Sequence, residues 1–165
     1  MLRLSIDGKP EPAGSKTAYP RGGKCIVVDA NNKAKDWKKA VATQVKEQLP
    51  ESFSLLDGDI IIACTFFLER PKGHFKKDGT LSAEGRRRPR PSVRPDVLKL
   101  MRGTEDALTD VVWTDDARVV DMHISKHYCS DGDTNGAEIA VMPADEYAAT
   151  IRFEQVDWKD RVRES

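Results

Sequence analysis

The chain lacks most of the short signatures that announce a function. No apolar run in its 165 residues approaches the ~20 needed to cross a bilayer, which argues against a membrane-spanning helix. The opening MLRLSIDGKP has no long apolar centre and reads as the start of a strand, not as a secretion signal. Cysteine is sparse: Cys25, Cys64 and Cys129 show no C-x-x-C spacing, which excludes a disulfide framework or a zinc site of the usual kind. Each is expected to be a small buried or half-buried hydrophobe, and the cytoplasm is the expected compartment. The phosphate loops G-x-x-x-x-G-K-[ST] and G-x-G-x-x-G are missing, as are H-E-x-x-H and G-x-S-x-G. Nucleotide hydrolysis, dinucleotide binding, zincin chemistry and the hydrolase serine elbow therefore have no support. His123 and His127 stand four apart, but in a strand-like segment where that spacing separates them too far for a shared metal.

Net charge is absent too, with 27 basic residues balancing 27 acidic ones. The balance is global and not local. From Arg70 to Arg102 the basic residues Arg70, Lys72, Lys76, Lys77, Arg86, Arg87, Arg88, Arg90, Arg94, Lys99 and Arg102 outnumber the acids. Beyond Asp131 acids dominate, among them Asp133, Glu138, Asp145, Glu146, Glu154, Asp157, Asp160 and Glu164. Such segregation attracts a polyanion locally despite a neutral sum.

The pattern of elements is mixed. LRLSID alternates as a half-buried strand, and the Gly/Pro-rich GKPEPAGSKTAYPRGGK reads as a long loop carrying Lys16. CIVVDA is a short strand. Trp37, Val41, Val45 and Leu49 then fall at helical spacing, with Asn31 or Asn32 as cap and Pro50 as stop. Trp37 reads as a core anchor. GDIIIACTFFLER, almost continuously apolar, is expected to be a central strand buried on both faces. A long polar loop spans about 70–95, where His74 is expected to touch phosphate. Val97, Leu100, Met101, Thr104, Ala107 and Leu108 give one apolar helical face. DVVW reads as a brief strand, TDDA as a turn, RVVDMHISKHY and AEIAVMP as strands, and PADEYAATIRF as a terminal helix. The expectation is an α+β fold, one domain over 1–165 with a mixed sheet flanked by helices. The segment 144–165 is its least defined part.

Two acidic points bracket the helix: Asp96 at its start and Asp115-Asp116 after it. Hard cations such as Mg²⁺ take oxygen ligands, keep several waters, and need few protein carboxylates. Such an ion assists phosphodiester hydrolysis by polarising the phosphate and acidifying the attacking water. The structural alternatives are an N-cap at Asp96 and a turn pair at Asp115-Asp116.

RPDVLKLMRGTEDALTDVVWTDDARVV resembles the signature of the RusA family of Holliday-junction resolvases. GKPEPAGSK and FFLERPKGHF resemble the family's early loop and its strand-turn-His segment, so the likeness extends from about residue 5 to 128. The resemblance implies a small divalent-metal endonuclease, often phage-encoded, acting in recombination or repair as a homodimer on four-way or branched DNA. By position it makes Asp96, Asp116 and Arg102 catalytic. It makes Asp96, Asp116 and Asp115 ligands of Mg²⁺ (or Mn²⁺), with Asp106 in support. Lys16, Lys72, Arg86, Arg87, Arg88, Arg94 and Lys99 then hold phosphates. One departure stands out: Leu98 occupies the place of the family's second aspartate, and a leucine cannot ligate a metal. Asp115 is the favoured replacement. Glu105, nine residues from Asp96, falls on the opposite helical face. Asp110 replaces a frequent family glycine. Two alternatives follow: a branched-DNA-binding protein with weakened catalysis, or a phage protein that engages a host partner through its acidic C-terminal region.

Overall fold

The computed structural model describes residues 1–14, 16–29, 32–130 and 134–149. It is an α+β fold, with the elements β1 (Leu2–Asp7), β2 (Lys16–Arg21), β3 (Lys24–Asp29), α1 (Asn32–Gln48), β4 (Ile60–Leu68), α2 (Ala83–Arg87), α3 (Val97–Leu108), β5 (Val119–Tyr128), β6 (Gly136–Pro143) and α4 (Ala144–Ala149). Single 3-10 turns occupy Lys72–His74 and Asp116–Arg118. The main sheet has the order β1-β6-β4-β5, antiparallel except for the parallel β4–β5 pair, and β2–β3 form a separate hairpin.

The apolar pattern explains the core. β4 lies between β6 and β5 and is buried along nearly its whole length, as its continuous hydrophobic run demands. Trp37, Val41 and Val45 of α1 join Leu100, Met101 and Leu108 of α3 against Ile60, Ile62, Cys64 and Phe66. A buried hydrogen bond, Trp37 Nε1 to Thr104 Oγ1 at 3.0 Å, locks the two helices together and stabilises by ~1 kcal/mol. Trp37 is thus a core anchor, as its spacing suggests.

The two edges of the sheet are treated differently. Gln48 accepts from the Ser5 N–H at 2.9 Å and donates to the Ser5 carbonyl at 2.7 Å. Gln44 does the same at Asp7, with both bonds at 2.8 Å. Four residues of helix rise by about 6 Å, close to two residues of strand, so paired glutamines imitate a neighbouring strand. They seal the β1 edge against pairing. At the other edge β5 pairs only with β4 among the described residues.

Several expectations need correction. Part of the early Gly/Pro-rich loop forms β2, turned onto β3 at Gly22-Gly23, both at positive φ. DVVW is not a strand: Val112 and Trp113 are buried in a turn, joined by single bridges to Leu56 and Thr109. The apolar content there serves packing, which a short run cannot distinguish from strand pairing. Asp110 lies at φ 62°, a left-handed conformation that asparagine, aspartate and glycine tolerate best. Its replacement of a family glycine is therefore a backbone matter. Val120 falls at a register shift: Ile60 pairs with Val119 and Ile61 with Asp121. This bulge drops Val120 out of the alternation with Met122 and Ile124 and leaves it 57% exposed. Cys25 is exposed, against expectation, because it lies in the hairpin outside the main sheet. The cap candidate Asn31 lies outside the described residues, as does the part of the expected C-terminal helix after 149.

Candidate nucleic-acid interface and acidic site

The segment 69–95 is built, not loose. Ser82 caps α2 by accepting from the Gly85 N–H at 3.1 Å. Gly85 passes so close to the Lys72–His74 turn that a Cβ would sit 2.3 Å from the His74 carbonyl oxygen, so only glycine fits. Arg70 lies 4.2 Å over the Tyr128 ring and donates to the carbonyls of Gly85 and Arg88 at 3.2 and 3.0 Å. One cation therefore ties the basic segment to the end of β5. His74 is buried edge-on against Tyr128, so it is a packing residue and not the phosphate contact its sequence neighbours suggest. Arg86 donates to Leu81 O and Arg88 pairs with Glu84, while Lys72, Arg87, Arg94 and Lys99 stay exposed with no ion pair among the described residues. The side chain of Lys16 lies outside the described part.

Asp96 caps α3. Its Oδ1 accepts from the Leu98 N–H at 3.0 Å, a contact worth ~1 kcal/mol. It opens onto a groove of about 1090 Å³ between the Lys9–Gly14 loop, the ends of β4 and β5, and residues 91–97. Lys9, Arg94, Lys99, Lys126 and Tyr128 share that groove with Asp96. Lys126 is the residue the sequence reading missed. Its ammonium donates to the carbonyls of Val93 and Pro95, both at 2.6 Å, and so pins the segment that delivers Asp96. The available signal was strand alternation: Lys126 follows Met122 and Ile124 on the inward face.

The acids at the other end of α3 form a second group. Asp115 Oδ1 accepts from the Ala117 N–H at 2.9 Å. That bond, and a further one with Asp116, hold its carboxyl below the ordinary range. Glu105 is shifted upward, first by burial, then by the charges of Asp116 and Asp106, with Arg102 opposing. The charge of Asp116 thus bears on Glu105. Asp106 is engaged by Lys38 of α1, an interhelical ion pair.

These placements decide what converges. α3 and β5 run in opposite directions, because Lys126 near the end of β5 meets Pro95 at the start of α3. Nine residues of helix, about 13 Å of rise, separate Asp96 from Glu105. Asp116 belongs with Glu105, at the end of the unit away from Asp96. Among the described residues no three His, Cys, Asp or Glu side chains stand where they share an ion. Leu98, where the sequence signature has a carboxylate, is 67% exposed.

Residues 7–142 match the family described as endodeoxyribonuclease RusA. The chain belongs to the RusA family. It is also similar to the uncharacterized protein YqaN of Bacillus subtilis (strain 168), 29% identical over 129 residues, covering 77% of this chain and 87% of that protein. RusA membership carries endodeoxyribonuclease activity on branched DNA in general terms and, with it, a general dependence on a divalent metal. No described helix is long and apolar enough to cross a membrane.

Proposed function

We propose that this RusA-family chain is a structure-selective endodeoxyribonuclease that resolves four-way or branched DNA junctions as a homodimer in the cytoplasm of a phage-bearing cell. The observation that carries this reading is Asp96 at the mouth of a groove furnished with Lys9, Arg94, Lys99 and Lys126. A carboxylate among cations suits a phosphate-bearing strand, because the cations hold the backbone while the acid stays next to it. Phosphate contacts give affinity without sequence preference, so selectivity for a junction comes from shape and from paired sites.

In this reading Asp96 and Asp116 are the essential acids, Asp115 supports Asp116, and Arg102 stands beside the scissile phosphate. Lys16, Lys72, Arg86, Arg87, Arg88, Arg94 and Lys99 hold the arms of the junction across residues 1–165 acting as one domain. Asp106 holds the helices together through Lys38. The ion is Mg²⁺, which when bound polarises a phosphate and acidifies a water.

The test is cleavage of a labelled four-way junction with Mg²⁺ by wild type and Asp96→Asn. Paired nicks by wild type alone support the reading. A folded wild type that leaves the junction intact overturns it. Leu98 favours a second reading, a branched-DNA-binding protein of weakened catalysis, which tight junction binding without cleavage would select.

A further inference from the structure

The groove beside Asp96 holds more than cations. Five of the chain's nine prolines line it: Pro10, Pro12, Pro71, Pro91 and Pro95. A proline has a fixed φ and no N–H, so these rings make stiff walls that donate nothing. The Lys9–Gly14 wall is also tied down, because the Ala13 N–H donates to the Lys99 carbonyl of α3 at 2.8 Å. The ends of β4 and β5 add Leu68 and Tyr128. Arg70 covers one face of the Tyr128 ring and His74 packs against it nearly at right angles, so only part of the ring borders the groove. The donors left over are few. Asn135 Oδ1 accepts from the Glu69 N–H at 2.6 Å, which leaves its amide N–H pair for a ligand. Two of the three Lys126 donors go to the Val93 and Pro95 carbonyls, which leaves one.

Apolar walls with a few donors, beside cations and a carboxylate, match the two halves of a nucleotide. We propose that the groove takes one unpaired nucleotide from the branch point of its DNA. The base lies among the prolines, Leu68 and Tyr128, and the phosphate lies at Arg94 and Lys99 beside Asp96. This rests on the nuclease reading given above and adds a base slot to the phosphate contacts. The volume, about 1090 Å³, is of the order that encloses a small organic ligand. The donors left on Asn135 and Lys126 suit the carbonyl or ring-nitrogen acceptors that every base carries. The slot therefore asks for an unstacked base and not for one base identity. An unpaired nucleotide supplies that base at least cost, because a continuous duplex must first break a pair and its stacking. Selectivity for a branch then arises partly in each protomer's own groove.

The experiment compares pairs of four-way junctions with one unpaired position at the branch point, placed in turn on each strand. In one junction of a pair that position carries a base; in the other it is abasic. Neither has a pair to break there, so the two differ only in the base. Affinities are read from the anisotropy of a labelled arm, in EDTA so that no strand is cut. Wild type is expected to bind the junction with the base about tenfold more tightly for at least one placement, as base packing on protein rings supports. Ser92→Trp fills the groove from an exposed position, with the fold checked by circular dichroism. It is expected to bind both junctions equally, at the level of wild type on the abasic one. Ser92→Ala keeps the preference, and Arg94→Gln weakens both junctions alike. Equal wild-type affinities at every placement, or a preference that survives Ser92→Trp, overturn the slot. If wild type still cuts a four-way junction with Mg²⁺ in that case, the nuclease reading stands without the slot. If wild type neither binds nor cuts any junction, both fall.

Discussion

The two ends of α3 make an instructive pair. At the start, Asp96 is held by its cap bond to Leu98 and by a segment that Lys126 pins through two carbonyls. Cations surround it and a groove lies open before it. At the far end, burial first and then the charges of Asp116 and Asp106 raise the Glu105 carboxyl. One end has a carboxylate among cations; the other has surplus negative charge. The difference teaches that a sequence signature neutral in sum can segregate its charges along a single helix.

The largest effect that separates the ends is the loss of either acid. Asp96→Asn and Asp116→Asn are each expected to lower junction cleavage by about 100-fold or more, equivalent to ~2.7 kcal/mol of barrier, with the fold retained. If Asp116→Asn keeps near-normal cleavage in a gel assay, the acidic end is structural and the comparison collapses. Next comes Lys126→Met, which removes the pin at the groove end. Cleavage is expected to drop by up to about 100-fold through misplacement of Asp96, while Lys126→Arg recovers part of it. An equal loss in thermal stability and activity, with no rescue by arginine, would make Lys126 a packing residue only.

A smaller effect concerns binding. Arg94→Gln with Lys99→Gln is expected to reduce the slope of log affinity against log salt by about two, one for each phosphate contact. An unchanged slope would place the DNA elsewhere than the groove.

How much of this was legible beforehand depends on the residue. The apolar faces of α1 and α3 and the buried run of β4 followed from periodicity, because burial imposes the repeat of each element directly. The cap at Asp96 was legible as one of two alternatives. The grouping of Glu105 with Asp116 was not, since helical angle placed Glu105 away from Asp96 but said nothing about the returning chain. The bulge at Val120 and the left-handed Asp110 also escaped, because each answers to a local backbone demand. Gln44 and Gln48 close a sheet edge, a role that helical periodicity does not mark.

The smallest expected effect distinguishes the ends by pH. His127, at the groove end of β5, is held below its ordinary value near 6.5, first by burial and then by Arg90. The unfolded chain therefore takes up this proton at higher pH than the folded one. Its contribution to stability is intact above the ordinary value and is lost as pH falls through the depressed one. Urea midpoints at pH 7.5 and 5.5 are expected to differ less for His127→Asn than for wild type. An identical difference would show that this histidine is not the group responsible.

The most direct measurement is a crystal structure of the protein with Mn²⁺, located by its anomalous signal. The account predicts an ion touched by Asp96 at the mouth of the groove that Arg94, Lys99 and Lys126 share. An ion held by Asp116 and Glu105, with Asp96 remote from it, would contradict the account.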